Sequence, residues 1–402
     1  MQFYIDITNS SGTRYGSGPI ASASYWRSTK RVDRIGGFEF AMPASDEKAL
    51  AIANRRYATC YAILDSGPTV VGSGVIDRIE TRPDNDGNVE LVVSGDDLLR
   101  ELIWKSARFT KLYSAGLLPI SHSDAAIRIY LNFPGGWTLT ADTAPPNNSI
   151  YFSFSGETCY AAALRLGELT RSHLWMPTAR NARYQSTWNS SGLRAIEAGS
   201  APLATNDICF IGELQITEDT YDLISRVIPY GPLIPGSATD HTSLLDTTRV
   251  PPSGYTIDLT DLVRDATEAT YGRVEEWISY NDIRAEDAAA STITSAANQL
   301  YDAAFWELQR RSDLASFYHM NLIYAPTVIE PMQTIRCIFR RAVDGRNVTD
   351  IDETLYIMGA TTTVDVDGLR TTALDVATID RWPQSDMDSM RKLTLDNQRS
   401  II

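Results

Sequence analysis

The chain has 402 residues, of which 43% are hydrophobic and 21% charged, so it can form roughly two to four globular domains. Its 36 basic and 50 acidic side chains give a formal net charge of −14. This charge argues against a nucleic-acid-binding protein, because binding to phosphates draws on clustered Lys and Arg. Any contact with DNA is expected to be weak and non-specific. An acidic channel through which DNA passes and an ordinary acidic surface both fit.

The cysteines and the apolar runs indicate a compartment. Four cysteines lie far apart, without the paired spacing of a zinc site or a redox dithiol, and are expected to be free and buried: Cys60, Cys159, Cys209 and Cys337. Assembly in a reducing cytoplasm follows. No apolar run approaches the roughly 18 residues of a membrane span, and the N-terminus lacks a basic region followed by an apolar core. We therefore expect neither export nor membrane insertion.

Residues 1–108 are predicted to form one domain of six or seven strands. Apolar and polar residues alternate, as half-buried strands require, in Phe3 to Thr8, Phe38 to Phe40, Tyr57 to Leu64, Val70 to Ile79 and Val89 to Val93. Ser45 or Asp46 can cap a short helix before the third of these strands. The turn Asp84-Asn85-Asp86-Gly87 joins the last two strands into a hairpin. Ser94 can cap a closing helix over residues 94–103.

This order of elements resembles the first tube-type barrel of phage tail hub proteins. The resemblance rests on the link Pro43 to Asp46, on Gly-Ser-Gly-Val-Ile-Asp-Arg from Gly72 to Arg78, and on Ser-Gly-Asp-Asp-Leu-Leu from Ser94 to Leu99. Tail hubs are ring-forming proteins at the tip of a bacteriophage tail, related to the baseplate hub of contractile phages.

Residues 109–204 have a different sequence pattern, which mixes helix and strand signals, and are predicted to form an α+β domain. Ile127, Ile129 and Leu131 alternate with charged or aromatic neighbours, and Tyr151 to Phe154 suggests a strand. A helix begins after Gly156-Glu157-Thr158, with a face expected to pack in the core: Cys159, Ala162, Ala163, Leu166 and Leu169. Leu174 to Met176 and Leu193 to Glu197 are predicted to pair as a hairpin around the turn Asn189 to Gly192. This pattern also resembles the second domain of tail hubs.

Residues 205–382 are predicted to return to strands with a helical insertion at 260–320. Strand patterns occupy 209–211, 223–230, 255–259, 335–341, 354–358, 361–366 and 370–376. A loop of about twenty residues, 231–254, is expected to be flexible or to make an assembly contact. Thr260-Asp261 should cap a helix with Leu262, Val263, Ala266 and Ala269 on its apolar stripe, and a long helix is predicted over Arg284 to Arg311. Residues 383–402 form a charged tail that docks on a partner or is disordered.

An acidic turn between two strand patterns occurs at Asp367-Gly368, as it does between Arg82 and Val93, which suggests an internal repeat. The resemblance to tail hubs then implies a mainly β, α+β fold with two tube-type antiparallel β-barrels, the first at 1–108 and the second at 205–259 and 321–382. An inserted α/β domain at 109–204 and the helical insertion complete this architecture. In tail hubs, two such barrels from each of three subunits form a pseudo-sixfold ring.

The sequence lacks motifs that carry chemistry. His122, His173, His241 and His319 stand alone, without a second His or Glu at metal-ligand spacing. Acidic runs at 84–87 and 349–353 are interpreted as turns rather than Ca²⁺ sites, because the loops lack the bidentate Glu at the twelfth position. We therefore predict no catalytic, cofactor-binding or metal residue and no enzymatic activity. Carboxylate pairs for glycoside hydrolysis stay open, because their separation depends on the fold.

Two hypotheses follow. In the first, the chain is a homotrimeric tail-tip hub, made in the host cytoplasm and located at the virion tail tip. Its partners would be the distal tail or tail-tube protein, the tape-measure protein and a central spike or fibre, around a channel that DNA crosses without specific binding. In the second, it binds or degrades carbohydrate through a stacking surface of Trp137, Trp175, Trp188 and exposed tyrosines. A distal tail ring protein, normally hexameric, is a further alternative.

Overall fold

A computed structural model describes residues 3–64, 67–83, 88–107, 120–142, 145, 149–150, 156–197, 207–220, 223–281, 283–343, 346–368 and 370–380. Within these ranges the protein is mainly β, as predicted, and contains four α-helices. The predicted turn at 84–87, the strand at Tyr151 to Phe154 and the tail at 383–402 lie outside them.

The N-terminal region forms six strands: β1 (Phe3–Thr8), β2 (Tyr25–Arg31), β3 (Gly37–Pro43), β4 (Tyr57–Leu64), β5 (Gly67–Pro83) and β6 (Val89–Asp97). A short 3-10 helix, Glu47–Ala51, follows β3, and Asp46 caps it by accepting from the Lys48 N–H. The prediction of a helix over residues 94–103 is partly wrong. Strand β6 continues to Asp97, because residues 94–96 still pair with β3. Asp97 then caps the 3-10 helix Leu98–Leu102.

The next region contains short strands and two helices: β7 (Ile120–Ser121), α1 (His122–Tyr130), β8 (Thr138–Ala141), β9 (Ser149–Ile150), α2 (Cys159–Thr170), β10 (His173–Thr178) and β11 (Asn181–Gln185). The alternation of Ile127 and Ile129 does not make a strand. Ser121 caps α1, and a buried helical face forms at Ala125, Ala126 and Ile129. The predicted core face of α2 is buried as expected.

The predicted hairpin between 174–176 and 193–197 is wrong. Strand β10 pairs with β11 instead, because the chain reverses at Arg180, whose backbone φ of 52° is left-handed. Residues 189–197 form β12 (Asn189–Glu197), which pairs in parallel with β13 (Ile208–Asp219) in the large sheet.

The segment between β13 and the next strand of the large sheet is an insertion with its own sheet. Its elements are β14 (Arg226–Tyr230), the 3-10 helix Leu244–Asp246, β15 (Tyr255–Asp258), β16 (Asp261–Arg264), α3 (Asp265–Tyr271), β17 (Glu275–Ser279) and α4 (Ala290–Arg311). The four strands form a separate sheet of order β15-β16-β14-β17.

Two predictions for this insertion need correction. The strands predicted at 223–230 and 255–259 do not join the second barrel, because their hydrogen-bond partners lie in the four-stranded sheet. Of the helix predicted after Thr260-Asp261, Leu262 and Val263 lie in β16 instead, since both pair with β15, whereas Ala266 and Ala269 do lie in α3. The loop at 231–254 contacts α4, where Arg249 pairs with Asp302 at 2.6 Å.

The chain ends its described part with four strands: β18 (Ala315–Tyr324), β19 (Gln333–Val343), β20 (Arg346–Asp365) and β21 (Arg370–Ala377). The acidic run 349–353 is therefore part of a strand, not a turn. It pairs with β19, whose Arg336 and Arg340 lie 2.9 Å from Asp352 and Asp350 respectively.

The strands of the large sheet form two rings of six. In the first ring the order is β1-β4-β5-β6-β3-β2. This ring closes through Ile20, in the segment before β2, whose backbone forms hydrogen bonds with Ile5 of β1. In the second the order is β12-β19-β20-β21-β18-β13, and β13 pairs back to β12. The rings share one sheet, because β20 also pairs with β2.

The two rings have the same strand order. When the strands of each ring are numbered one to six along the chain, both follow one-four-five-six-three-two. The pairs four-five, five-six, six-three and three-two are antiparallel in both rings. The first strand differs, since β1 is antiparallel to β4 whereas β12 is parallel to β19. The two hairpins recognised as a sequence repeat both join strand five to strand six.

The interior of the first ring is packed with stacked aromatic rings. Trp26 is fully buried, and its ring centroid lies 5.0 Å from that of Phe38 and 5.8 Å from that of Phe40. These three side chains come from neighbouring strands β2 and β3, where alternate residues face inward.

Truncating this aromatic stack should destabilise the first ring. We expect Trp26→Ala to lower the free energy of unfolding by about 3 to 5 kcal/mol, because it removes a buried side chain and leaves a cavity. Leu50→Ala is the control, since Leu50 is 87% exposed. Equal losses for the two variants in urea denaturation would contradict this packing.

Candidate functional site: a buried ionic junction

Four segments distant in sequence meet at His173. The imidazole Nδ1 lies 2.6 Å from Asp33 Oδ2, and Nε2 lies 3.8 Å from Asp380 Oδ2. Arg310, at the end of α4, places Nε 3.2 Å from Asp380 Oδ1 and donates to the Asp380 carbonyl. We call Asp33, His173, Arg310 and Asp380 the His173 network. It joins the link between β2 and β3, the start of β10, the insertion and the segment after β21.

Asp33 is fixed to β10 by its backbone as well as its carboxylate. Its φ of 55° is left-handed, a conformation that Asp tolerates better than most residues. Its N–H donates to the Leu174 carbonyl, and its Oδ1 accepts from the Leu174 N–H at 2.7 Å. The Tyr160 hydroxyl on α2 donates to the Asp33 carbonyl. The aspartate is thus held in place before it meets the histidine.

The network favours a protonated histidine. Burial disfavours the imidazolium, but the carboxylates of Asp33 and Asp380 outweigh burial and raise the pKa of His173 to about 9. Burial opposes the charge of Asp380 as well, and Arg310 and His173 nevertheless hold its pKa well below the usual range. Both ring nitrogens face carboxylates, so the protonated imidazole acts as a structural tie and has no free lone pair for a general base.

A second charged contact lies beside this network. Lys30 Nζ on β2 is 2.8 and 2.9 Å from the two Glu330 oxygens and donates to the Pro177 carbonyl at 3.2 Å. Burial raises the pKa of Glu330, and Lys30 counteracts that shift. Nearby Asp97 is buried and accepts from the Gly36 N–H at 2.7 Å, and burial raises its pKa to about 7.

A third contact joins the first ring to the three-stranded sheet β10-β11-β8. Glu101 is 3% exposed and accepts two bonds from Arg180, at 2.9 and 3.1 Å. It also accepts from Trp137 Nε1 at 2.7 Å. Burial disfavours the charged Glu101, but Arg180, Tyr57 and Trp137 together lower its pKa. Bidentate geometry and full hydrogen bonding are the conditions under which a buried ion pair is tolerated.

The three tryptophans of the carbohydrate hypothesis do not form an exposed stacking surface. Trp137 is 3% exposed and Trp175 is 5% exposed, and the partly buried Trp188 packs between His173 and Tyr356. Buried indoles cannot stack on a sugar ring, so Trp137 and Trp175 serve the core and its ionic contacts.

The remaining predictions concern chemistry. Among the residues that the structure describes, no three His, Cys, Asp or Glu side chains are placed to hold a metal ion. The four cysteines are free and buried, as predicted. No helix within the described ranges is both long and apolar enough to cross a membrane. In each of the other histidines Nδ1 lies within hydrogen-bond distance of an oxygen: the Asp142 carbonyl for His122, the Gly231 carbonyl for His241 and the Asp375 carboxylate for His319.

Sequence reasoning missed the ionic junction. His173 looked isolated, because its partners lie 140 and 207 positions away along the chain. No local spacing marks such a contact. The available signal was the run Val32-Asp33-Arg34, which places two opposite charges in the short link between two strands.

The His173 network predicts a loss of stability at alkaline pH. The folded pKa of about 9 lies above the ordinary value of 6.5, so the folded state binds the proton more tightly. The contribution is therefore fully present below about pH 6.5 and is lost as the pH rises through about 9. We expect the difference in free energy of unfolding between wild type and His173→Gln to shrink by about 3 kcal/mol from about pH 6 to about pH 9.5. A pH-independent difference in urea denaturation would contradict it.

Breaking the Glu101 contact should cost more than breaking an exposed pair. We expect Glu101→Gln to lower the free energy of unfolding by about 3 kcal/mol, because it leaves a half-buried guanidinium uncompensated. The control is Arg340→Met, which removes an exposed pair with Asp350 and should cost under about 1 kcal/mol. Similar losses for both variants in urea denaturation would show that Glu101 is not a structural tie.

Solved structures share the fold of this chain. No protein-family model matches the chain, and no curated protein matches its sequence. The 43 kDa tail protein of prophage MuSo2 from Shewanella oneidensis matches with a TM-score of 0.59 and 15% identity, over 93% of this chain and 97% of the other. A tail protein from Neisseria meningitidis matches with a TM-score of 0.57 and 14% identity, over 94% and 96%.

A prophage tail protein from Listeria monocytogenes EGD-e matches with a TM-score of 0.57 and 9% identity, over 97% of this chain and 98% of the other. The likeness therefore spans nearly the whole length of each protein. It confirms the resemblance predicted from the sequence at the level of the fold: the chain folds like prophage tail proteins.

Proposed function

We propose that this chain is a structural tail-tip hub protein of a bacteriophage or prophage. It acts as a homotrimer that connects a sixfold tail tube to a threefold tip. Its place is the virion tail tip, after synthesis in the host cytoplasm. The fold of prophage tail proteins over the whole chain supports a structural role in the tail.

The observation that carries this proposal is the repeated strand order. Two rings in one polypeptide follow the same order, one-four-five-six-three-two, and are joined where β20 of the second ring pairs with β2 of the first. We infer that they are two tube-type β-barrels. The first uses residues 1–108, and the second uses strands on both sides of the insertion. Three subunits with two barrels each supply six similar positions, which is what a threefold assembly needs to sit on a sixfold tube.

The partners follow from this position. One face of the ring meets the distal tail or tail-tube protein, and the other meets a central spike or fibre. The channel contains the tape-measure protein and then DNA. The net charge of −14 suits a channel that DNA crosses without specific binding, because an acidic surface does not retain phosphates.

The proposed role needs no catalysis. In the His173 network the carboxylates of Asp33 and Asp380 are already paired with cations or backbone N–H groups. This arrangement suits a scaffold that transmits force rather than a reaction site. A hub of this kind opens its channel when the tip contacts a receptor.

The proposal predicts a defined mass. Size-exclusion chromatography with light scattering should give three copies of the 44.5 kDa chain, alone or with the tail-tube protein. Six copies would favour the alternative of a distal tail ring. A monomer at every concentration and with every tail partner would contradict the hub.

A further inference from the structure

The insertion exposes a large aromatic side chain on an acidic sheet face. Trp277 on β17 is 68% exposed, and its ring lies 6.1 Å from that of Tyr230 on β14. Trp277 pairs with Ile228, and Glu275 pairs with Arg226, so all four side chains lie on one face of the sheet. We call this surface the Trp277 face. A tryptophan this exposed is a frequent anchor of protein interfaces.

The charges of the Trp277 face do not cancel. Arg226 contacts Glu268 at 2.6 Å and Asp258 at 2.9 Å, and lies 3.3 Å from Asp261. Glu275 pairs with Arg273. The face thus carries four carboxylates against two guanidinium groups, so it is negative around an apolar centre.

A second surface has the opposite character. A groove of about 560 Å³ is lined by Trp104, Lys105, Ser106, Leu131, Asn132, Phe133, Pro134 and Gly135, where α1 ends. Leu131 is 75% exposed and Trp104 is 40% exposed. None of these described lining residues carries a carboxylate. We call this surface the Leu131 groove.

Two cations lie at the Leu131 groove. Lys105 lines the groove, and Arg55 holds its guanidinium 4.8 Å from the centre of the Trp104 ring, which also lines it. The groove therefore combines apolar walls with positive charge, which complements the projecting, negative Trp277 face.

We propose that the Trp277 face of one subunit docks in the Leu131 groove of a second copy of this chain. The two surfaces belong to different parts of the molecule, so the contact is heterologous, and repeating it by a rotation that closes gives a ring. The inference rests on the proposed hub for the existence of that ring and adds which surfaces form it. An apolar side chain enters the groove, and opposite charges surround the contact.

The first test compares three substitutions in the full chain. Trp277→Ser and Leu131→Asp should each raise the concentration at which the oligomer dissociates by about tenfold or more, measured by light scattering on dilution. Val250→Asp is the control, because Val250 is 86% exposed and lies outside both surfaces. It should leave the assembly unchanged. Circular dichroism melting shows that each variant is folded.

A charge swap tests complementarity directly. Lys105→Glu and Glu275→Lys should each weaken assembly, and the double variant should recover at least half of the lost association. A double variant no better than the single ones would overturn the charge argument and with it the proposed contact.

A disulfide test does not depend on dissociation. The native cysteines are all buried, so new thiols at the surface react alone. Leu131→Cys with Trp277→Cys in one chain should form covalent oligomers on mild oxidation, and neither single variant should. Covalent dimers from a single variant would indicate a contact between identical surfaces and overturn the proposal. An intact trimer insensitive to every substitution refutes the contact but leaves the hub standing, whereas a monomeric wild type removes both.

Discussion

One strand holds the two halves of this protein together. Residues 359–365 of β20 pair with β2 in the first ring, while residues 356–364 pair with β21 in the second. The same backbone therefore supplies hydrogen bonds on both of its edges, and neither ring can tilt without breaking them. The pairing of β20 with β2 therefore sets the relative orientation of the two rings.

Buried ion pairs then connect the remaining segments to the two rings. The His173 network, the Lys30 contact with Glu330 and the Glu101 contact with Arg180 each join elements from different parts of the chain. Buried ion pairs seldom add much net stability, but removing one partner is costly. They favour the arrangement of rings, sheets and helices in which these charges are paired.

Local patterns predicted the elements better than their partners. Alternation identified most strands of the first ring, and the Asp46 cap marked its 3-10 helix. The segments around Ile129 and Leu262 were misjudged, because short apolar runs fit a strand and a helix equally well. The pairing of β12 with β13 and β19 escaped prediction, since parallel pairing leaves no turn signal in the sequence. The insertion obscured the second ring by separating its strands two and three with a sheet of its own.

The central claim is that two like rings in one chain occupy equivalent positions in an assembly. Electron cryomicroscopy of the assembled protein tests it most directly. The account predicts a ring of six barrels in which first and second rings alternate, with three subunits related by a threefold axis. A particle in which only the first ring of each subunit lines the channel would contradict it.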